Sequence, residues 1–168
     1  GMGLDFGGFG KEYAVDRVVE MGKAFGISNL LVNFGGDVRA IGSPPDSDVW
    51  RIGLEDPKRP GHARYAVRAN NLAVATSGNY LRYFEVNGKH FGHLLDHRTG
   101  YPASGSHISA TVISGSCLEA GILATCSLID ERRQGLSLID DHFGSEGCVW
   151  RKSGIAWSKK FEEHLIEE

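Results

Sequence analysis

The sequence has few cysteines and no long apolar run, and both shortages exclude whole classes of protein. Its three cysteines, Cys117, Cys126 and Cys148, are an odd number and lack Cys-x-x-Cys spacing. They predict neither a disulfide framework nor a zinc site, and we interpret them as small core residues. Because no apolar stretch approaches the length that spans a bilayer, no transmembrane helix is predicted.

A strong excess of one charge is also missing. The chain carries 18 Lys and Arg against 21 Asp and Glu, a net charge of −3, and the two signs are interspersed. Nucleic acid and membrane surfaces are therefore not predicted as partners. At 168 residues the chain predicts one domain, residues 3–168, with Gly1 and Met2 expected as a tag scar and a start methionine. Because the following residues open within a glycine-rich loop, we expect a segment upstream to be missing.

Three segments are predicted to be helical. Residues 11–25 place apolar side chains at helical spacing with charged residues between them. Ser116 and Glu119 form a capping box that begins a helix over residues 118–130. A further helix is predicted over residues 131–143.

Short runs rich in β-branched and aromatic residues, bounded by turn formers, predict strands. Asn87-Gly88 between alternating aromatics predicts a β-hairpin, and Ser153-Gly154 predicts a terminal one. The other predicted strands are residues 29–34, 38–42, 50–56, 63–69, 72–78 and 107–114. The predicted fold class is therefore α/β of the α+β type, a mainly antiparallel sheet with packed helices.

A glycine-dense turn, DFGGFGKEY, leads into the first helix. The backbone N–H groups of Gly7 and Gly8, with the charge of Lys11, suit a phosphate or pyrophosphate. The stretch matches neither of the two common glycine-rich phosphate motifs, GxxxxGK[ST] and GxGxxG. A glycine turn needed only for tight packing is the open alternative.

Two strand ends also carry polar groups. In NFGGD, Asp37 follows a Gly-Gly turn and could orient a ribose hydroxyl, a base or a metal-bound water; an Asx-turn is the alternative. In ATSGNY, the hydroxyls of Thr76 and Ser77 and the amide of Gly78 could hold phosphate oxygens. An ST-turn at a strand end has the same sequence pattern.

The stretch FGHLLDHRTGYPA, residues 91–103, is the most heavily equipped. His93, Asp96, Arg98 and Thr99 precede a Gly-Tyr-Pro turn, a set that could combine proton transfer with stabilisation of an oxyanion. Of the histidines we select His93 as the functional one. Those interpreted as structural are His62, His90 and His97.

Together and in this order, these pieces resemble the ApbE family, the FAD:protein FMN transferases. The matching motifs are DFGGFGKEYAVD, LLVNFGGDVRAIG, WRIGLEDP, VATSGNY, GHLLDHRTGYP and TVISGSCLEAGILATCSLI. They cover almost the whole chain but only the C-terminal part of a family member. The resemblance implies an ApbE-like domain with a T-fold-like architecture.

The resemblance also implies a reaction. A family member binds FAD with a divalent cation, usually magnesium, and cleaves the pyrophosphate. FMN passes to a threonine or serine hydroxyl of an acceptor protein and AMP leaves, whereas some relatives use water and act as FAD pyrophosphatases. Such chemistry depends on positioning and on neutralising phosphate charge.

Carried over by position, His93 would activate the acceptor hydroxyl or stabilise the leaving phosphate. Asp96 would orient the loop or that histidine, and Thr99 and Gly100 would close the loop, with Arg98, around the pyrophosphate. The remaining phosphate and nucleotide contacts are assigned to Gly7, Gly8, Lys11, Asp37, Thr76, Ser77 and Gly78.

One departure from the family concerns the metal. The family carries Asp-x-x-x-Thr on the helix after TVI, and here the first position is Gly121 and the second Thr125. The resemblance leaves Thr125 and the backbone carbonyl of Gly10 as metal ligands, so we expect a weakened magnesium site. Glu119 lies on a different helix face and is a poor substitute.

Two alternatives to the transferase stay open. One is a flavin-binding protein without activity, or an FAD pyrophosphatase, with a degenerate metal site. The other is an inactive fragment that associates through surface its missing segment would cover, as a homo-oligomer and specifically a dimer. The resemblance places the complete protein in the bacterial cell envelope, with the cytoplasm as the alternative.

Overall fold

The computed structural model describes residues 1–103, 105–130 and 135–166. Its helices are α1 (Gly10–Ala24), α2 (Cys117–Ile129) and α3 (Leu136–Asp140), followed by a 3₁₀ helix at Phe161–His164. Its strands are β1 (Leu30–Phe34), β2 (Asp37–Ile41), β3 (Arg51–Glu55), β4 (Ala63–Arg68), β5 (Leu72–Gly78), β6 (Tyr83–Val86), β7 (Lys89–Gly92), β8 (His107–Ser114), β9 (Glu146–Arg151) and β10 (Gly154–Trp157). Within those ranges, no helix is both long and apolar enough to cross a membrane.

A six-stranded antiparallel sheet forms the centre of the fold, in the order β1-β2-β5-β8-β9-β10. The hairpins β3-β4 and β6-β7 form separate two-stranded sheets. Each of these strand pairs is antiparallel, and the helices pack on the central sheet. The predicted fold class is therefore confirmed.

Side chains of the central sheet alternate between two cores. On β5, Ala73 and Ala75 face the helices, whereas Val74 faces the opposite side. On β9, Val149 and Trp150 divide in the same way. The first face is covered by α1, α2 and α3, and the second by the β3-β4 hairpin and the 3₁₀ helix. The period of two along each strand therefore decides which polar residues at the strand ends meet the helices.

Helix α1 buries one stripe of side chains against β1 and β2. The buried positions are Glu12, Val15, Val19 and Gly22, which follow the three-and-four spacing of one helix face. A carboxylate thus occupies a position that the pattern otherwise reserves for core residues.

Helix α2 begins as predicted. Ser116 is its N-cap, and the Ser116 hydroxyl accepts a hydrogen bond from the Glu119 N–H at 3.2 Å. The capping box is only half formed, because the Glu119 carboxylate instead accepts from the Ser114 hydroxyl and lies 3.3 Å from the His142 ring. The Glu119 carboxylate therefore contacts Ser114 and His142 and does not complete the capping box.

The helix predicted over residues 131–143 was wrong in extent. Helix α3 covers only Leu136–Asp140, and residues 131–134 lie outside the described part of the chain. Gly135 has φ +68°, a left-handed conformation that cannot continue a helix. The sequence prediction did not treat this glycine as a break.

Two hairpin turns use left-handed backbone as their sequences predict. Asn87 and Gly88 have φ +50° and +73° between β6 and β7. Gly35 and Gly36 have φ +60° and +98° between β1 and β2. Positive φ at both central residues matches the right-handed twist of paired strands. The second turn places Asp37 as the first residue of β2.

Candidate functional site

A cavity of about 350 Å³ gathers several of the predicted site residues, and we call it the lysine cavity. Lys11 reaches it from the start of α1, and Thr76 and Gly78 reach it from the end of β5. His93 enters from the segment after β7. Its lining residues are Lys11, Gly35, Gly36, Gly53, Glu55, Thr76, Gly78, Tyr80, Leu81, Arg82 and His93.

Lys11, which lines the lysine cavity, forms an ion pair with Asp37 behind it. The Lys11 Nζ lies 2.6 Å from the Asp37 Oδ2, and the Asp37 Oδ1 accepts from the Thr76 N–H at 3.3 Å. Asp37 is only 3% exposed, whereas the Lys11 side chain is 43% exposed. The ammonium group has three donors, so it can hold Asp37 and still donate to an anion in the cavity.

The Asx-turn alternative for Asp37 is wrong. The side chain that closes the Gly35-Gly36 turn is Asn33, whose Oδ1 accepts from the Gly36 N–H at 2.9 Å. The carboxylate of Asp37 is directed instead toward Lys11 and Thr76. It therefore fixes the cavity wall and does not shape the turn.

The hydroxyls at the end of β5 bond to neighbouring elements rather than to their own backbone. Thr76 Oγ1 lies 2.8 Å from Thr111 Oγ1 on β8, and Ser77 Oγ lies 2.7 Å from Thr125 Oγ1 on α2. These contacts are not those of an ST-turn. They place Ser77 and Thr125 together on the helix-covered face of the sheet.

The ring of His93 is held by one backbone contact. Its Nδ1 lies 3.1 Å from the Arg82 carbonyl oxygen. Because a carbonyl can only accept, this nitrogen carries a hydrogen and the neutral ring keeps its lone pair on Nε2. His93 is exposed at the lysine cavity, so this lone pair can take a proton there.

Several residues that follow His93 in the sequence line a different space, which we call the arginine cavity. It has a volume of about 360 Å³. Asp96, Arg98 and Thr99, which the sequence places near His93, therefore line a different cavity from His93. The residues lining the arginine cavity are Asn79, Asp96, Arg98, Thr99, Tyr101, Pro102, Ala103, Gly105, His107, Leu128 and Ile129. The predicted site residues that belong to neither lining set are Gly7, Gly8, Gly10, Asp37, Ser77, Gly100 and Thr125.

Asp96 organises its own loop. Its carboxylate accepts from the Arg98 backbone N–H at 2.9 Å and from two guanidinium nitrogens, each at 2.8 Å. Its carbonyl accepts from the N–H groups of Thr99 and Gly100. Arg98 also lies 3.4 Å from Asp130 at the end of α2. Of the two predictions for Asp96, the structure supports orientation of the loop.

The pairing of Asp96 with Arg98 predicts an unusual titration. The Arg98 side chain, and then its backbone N–H, lower the pKa of Asp96 to about 2. Because the folded-state pKa is depressed, this stabilisation is present above the ordinary carboxyl pKa and is lost as the pH falls through about 2. We expect carboxyl-carbon NMR to give this value, and Arg98→Met to return it toward 3.8, the ordinary value. An unchanged titration in the variant would show that the pair does not form in solution.

A second carboxylate, which the sequence reasoning missed, lies behind the lysine cavity. Glu12 is only 7% exposed, and burial, followed by the nearby Asp37 carboxylate, raises its pKa. A Cβ atom placed on Gly121 would lie 2.6 Å from the Glu12 Cγ and 2.9 Å from its Oε1. The usable signal was position: Glu12 stands three and seven residues before the buried Val15 and Val19.

Carboxylates and hydroxyls, without a larger acidic cluster, surround the predicted metal position. In residues 1–103, 105–130 and 135–166, no group of three or more His, Cys, Asp or Glu side chains is placed to hold a metal ion. Thr125 lies one helical turn after Gly121, on the same face of α2. Glu12 is a buried carboxylate that lies beside Gly121, the position before Thr125 on this face.

Comparison with known proteins decides the family. A family model described as the ApbE family matches residues 1–149. The chain belongs to the ApbE family. Its fold agrees with two solved family structures. A crystal structure of the ApbE protein from Thermotoga maritima has a TM-score of 0.87 at 34% identity, covering 98% of this chain and 54% of that chain. Apo flavinyl transferase ApbE from Pseudomonas stutzeri has a TM-score of 0.79 at 33% identity, covering 98% and 52%.

Curated ApbE relatives are longer than this chain. An FAD:protein FMN transferase of Vibrio cholerae is 32% identical over 138 residues, which are 82% of this chain and 41% of that protein. One of Klebsiella pneumoniae is 39% identical over 126 residues, which are 74% of this chain and 38% of that protein. The chain thus spans about two fifths of the length of these relatives.

Proposed function

We propose that the complete ApbE protein is an FAD:protein FMN transferase. In this reaction a threonine or serine hydroxyl of an acceptor protein attacks the phosphorus of the FMN half of FAD. The bond from that phosphorus to the bridging oxygen breaks, the hydroxyl proton leaves to a base, and AMP departs. The chain's similarity to relatives named FAD:protein FMN transferase supports this assignment.

The observation that carries the proposal is that Lys11 and His93 line the same cavity, the lysine cavity. Lys11 brings a positive charge, His93 brings a nitrogen lone pair, and the Gly35-Gly36 turn keeps the cavity floor without side chains. A diphosphate is stabilised by the positive charge, and the acceptor hydroxyl can give its proton to the nitrogen lone pair. Phosphoryl transfer depends mainly on positioning and charge neutralisation, which this set provides.

The proposed reaction also uses a divalent cation. Such a cation, when bound, neutralises the negative charge that develops on the bridging phosphate oxygens. The residues that would hold it are Thr125 and the buried carboxylate Glu12, whose Oε2 has no hydrogen-bond partner. An unpaired buried carboxylate oxygen is the type of donor that a hard cation prefers.

The experiment that tests the function uses the complete protein with FAD, Mg²⁺ and a candidate acceptor. We expect AMP by chromatography and an acceptor mass increased by that of one FMN less one water. AMP and FMN released in equal amounts without a labelled acceptor would identify an FAD pyrophosphatase. Absence of AMP above the enzyme-free control would contradict both activities.

Gly121 favours a second candidate, a flavin-binding protein without turnover. Gly121 stands where the family carries a carboxylate on α2, so the metal site needs another ligand in its place. This candidate predicts FAD binding without AMP release. The same assay therefore separates it from the transferase.

We also propose that this chain forms a dimer. Several large apolar side chains are exposed: Leu4, Phe6 and Phe9 before and at the start of α1, and Tyr83, Phe84 and Val86 on β6. Exposed large apolar side chains favour association with another protein surface. Light scattering at tens of micromolar protein should give twice the mass of the chain, and a monomeric mass would contradict the proposal.

A further inference from the structure

The environment of Glu12 is unfavourable for a carboxylate as it stands. The residue is only 7% exposed, and its Oε2 has no hydrogen-bond partner. Leaving a charged oxygen buried and unpaired is strongly destabilising. A ligand that binds this oxygen removes that cost.

The room for this side chain exists because residue 121 is glycine. Any Cβ there would lie 2.6 Å from the Glu12 Cγ, closer than real Cβ contacts allow. The Glu12 Oε1, at 2.9 Å from the same point, lies within reach of where a carboxylate carried by residue 121 would place its oxygens. Helix α1 therefore delivers a carboxylate to a position that helix α2 leaves open.

Oxygen donors surround this position. Asp37 is the ion-pair partner of Lys11, the residue before Glu12, and Thr125 follows Gly121 by one turn of α2. The Thr125 hydroxyl is joined to Ser77 at 2.7 Å. Carboxyl and hydroxyl oxygens from α1, β2 and α2 are thus available in this region.

We propose that Glu12 is the anionic protein ligand of a divalent cation bound between α1 and α2. The cation satisfies the Glu12 Oε2, and the Thr125 hydroxyl is its second ligand. The proposal rests on the proposed function in one respect: the FAD diphosphate supplies the remaining oxygens. Magnesium sites of this type use one or two carboxylates together with substrate phosphates.

The test is Mn²⁺ binding to the 168-residue chain, measured by the loss of the free-ion electron paramagnetic resonance signal. Glu12→Gln keeps the shape and removes the charge, and Glu20→Gln makes the same change on the exposed part of α1. We expect Glu12→Gln to weaken Mn²⁺ binding at least tenfold and Glu20→Gln to change it less than twofold. Equal affinity of the wild type and Glu12→Gln would overturn the proposal, as would a wild type that binds no Mn²⁺ at millimolar concentration.

Thermal unfolding supplies a second readout that needs no FAD. Without metal, Glu12→Gln should raise the Tm by a few degrees, because it removes a buried unpaired charge beside Asp37. With excess Mn²⁺ the wild type should gain more and the order should reverse. A variant that is less stable than the wild type in both conditions would assign Glu12 a packing role only.

Moving the carboxylate from α1 to α2 tests whether the site needs a carboxylate at this place or needs Glu12 itself. Glu12→Ala combined with Gly121→Asp moves the acidic group from α1 to α2 and removes the clash with the Glu12 side chain. We expect this double variant to recover Mn²⁺ binding that Glu12→Ala alone loses. Failure of recovery in a folded double variant would contradict the site. Normal Mn²⁺ results together with no AMP release would instead count against the transferase function alone.

Discussion

Replacement of His93 by alanine should lower AMP release by the complete protein about 10²-fold to 10⁴-fold, the usual contribution of a positioned general base. The Arg82 carbonyl holds the Nδ1 hydrogen, so the lone pair on Nε2 is directed away from that contact. Alanine removes this proton acceptor and leaves Lys11 and the glycine turn in place. FAD binding should therefore change much less than turnover, which calorimetry and AMP chromatography would separate.

A matched control for this variant is His62→Ala. His62 is exposed and lines a surface cavity formed with Asp56 and Arg64, apart from the lysine cavity. Its removal should leave AMP release unchanged within about twofold. An equal loss in both variants, or a His93→Ala protein with normal turnover, would remove His93 from the mechanism.

Replacement of Asp16 by alanine should lower the free energy of unfolding by about 3 kcal/mol, since it removes one partner of a mostly buried network. One carboxylate oxygen accepts from the Cys117 N–H and the other from the Leu118 N–H, each at 2.9 Å. The first oxygen also lies 3.0 Å from Arg39. Asp16 on α1 thus caps the first turn of α2, and its loss leaves two N–H groups without their acceptor.

Chemical denaturation would measure this loss, with Asp46→Ala as the exposed control. Asp46 should change stability by less than about 0.5 kcal/mol, as surface substitutions usually do. Asp16→Asn keeps an acceptor oxygen and should lose less than Asp16→Ala. Identical stability of wild type and Asp16→Ala would show that the contact between α1 and α2 does not form. Because α1 carries Glu12 and α2 carries Thr125, this contact also fixes the distance across the proposed metal site.

Local sequence signals predicted most of the sheet correctly. Asn87-Gly88 and Gly35-Gly36 require left-handed backbone, and both stand at hairpin turns. Strand β8 covers the predicted residues 107–114 without any shift. These features depend on neighbouring residues alone, so a single sequence contains the information.

Contacts between distant segments were not predictable in the same way. His93 lines the lysine cavity, whereas Asp96 and Arg98, which bind each other, line the arginine cavity, so the continuous motif is divided between two cavities. The approach of Glu12 to Gly121 joins residues on separate helices. Only the side-chain positions reveal that the two departures from ordinary pattern, a carboxylate on a core stripe and a glycine within a helix, fit each other.

The most direct test of the account is an FAD titration of the 168-residue chain by calorimetry, with and without Mg²⁺. In this chain Lys11 supplies the phosphate-binding charge and Glu12 the proposed cation site. Measurable FAD binding that Mg²⁺ strengthens is therefore expected. No binding in either condition, or binding that Mg²⁺ leaves unchanged, would contradict it.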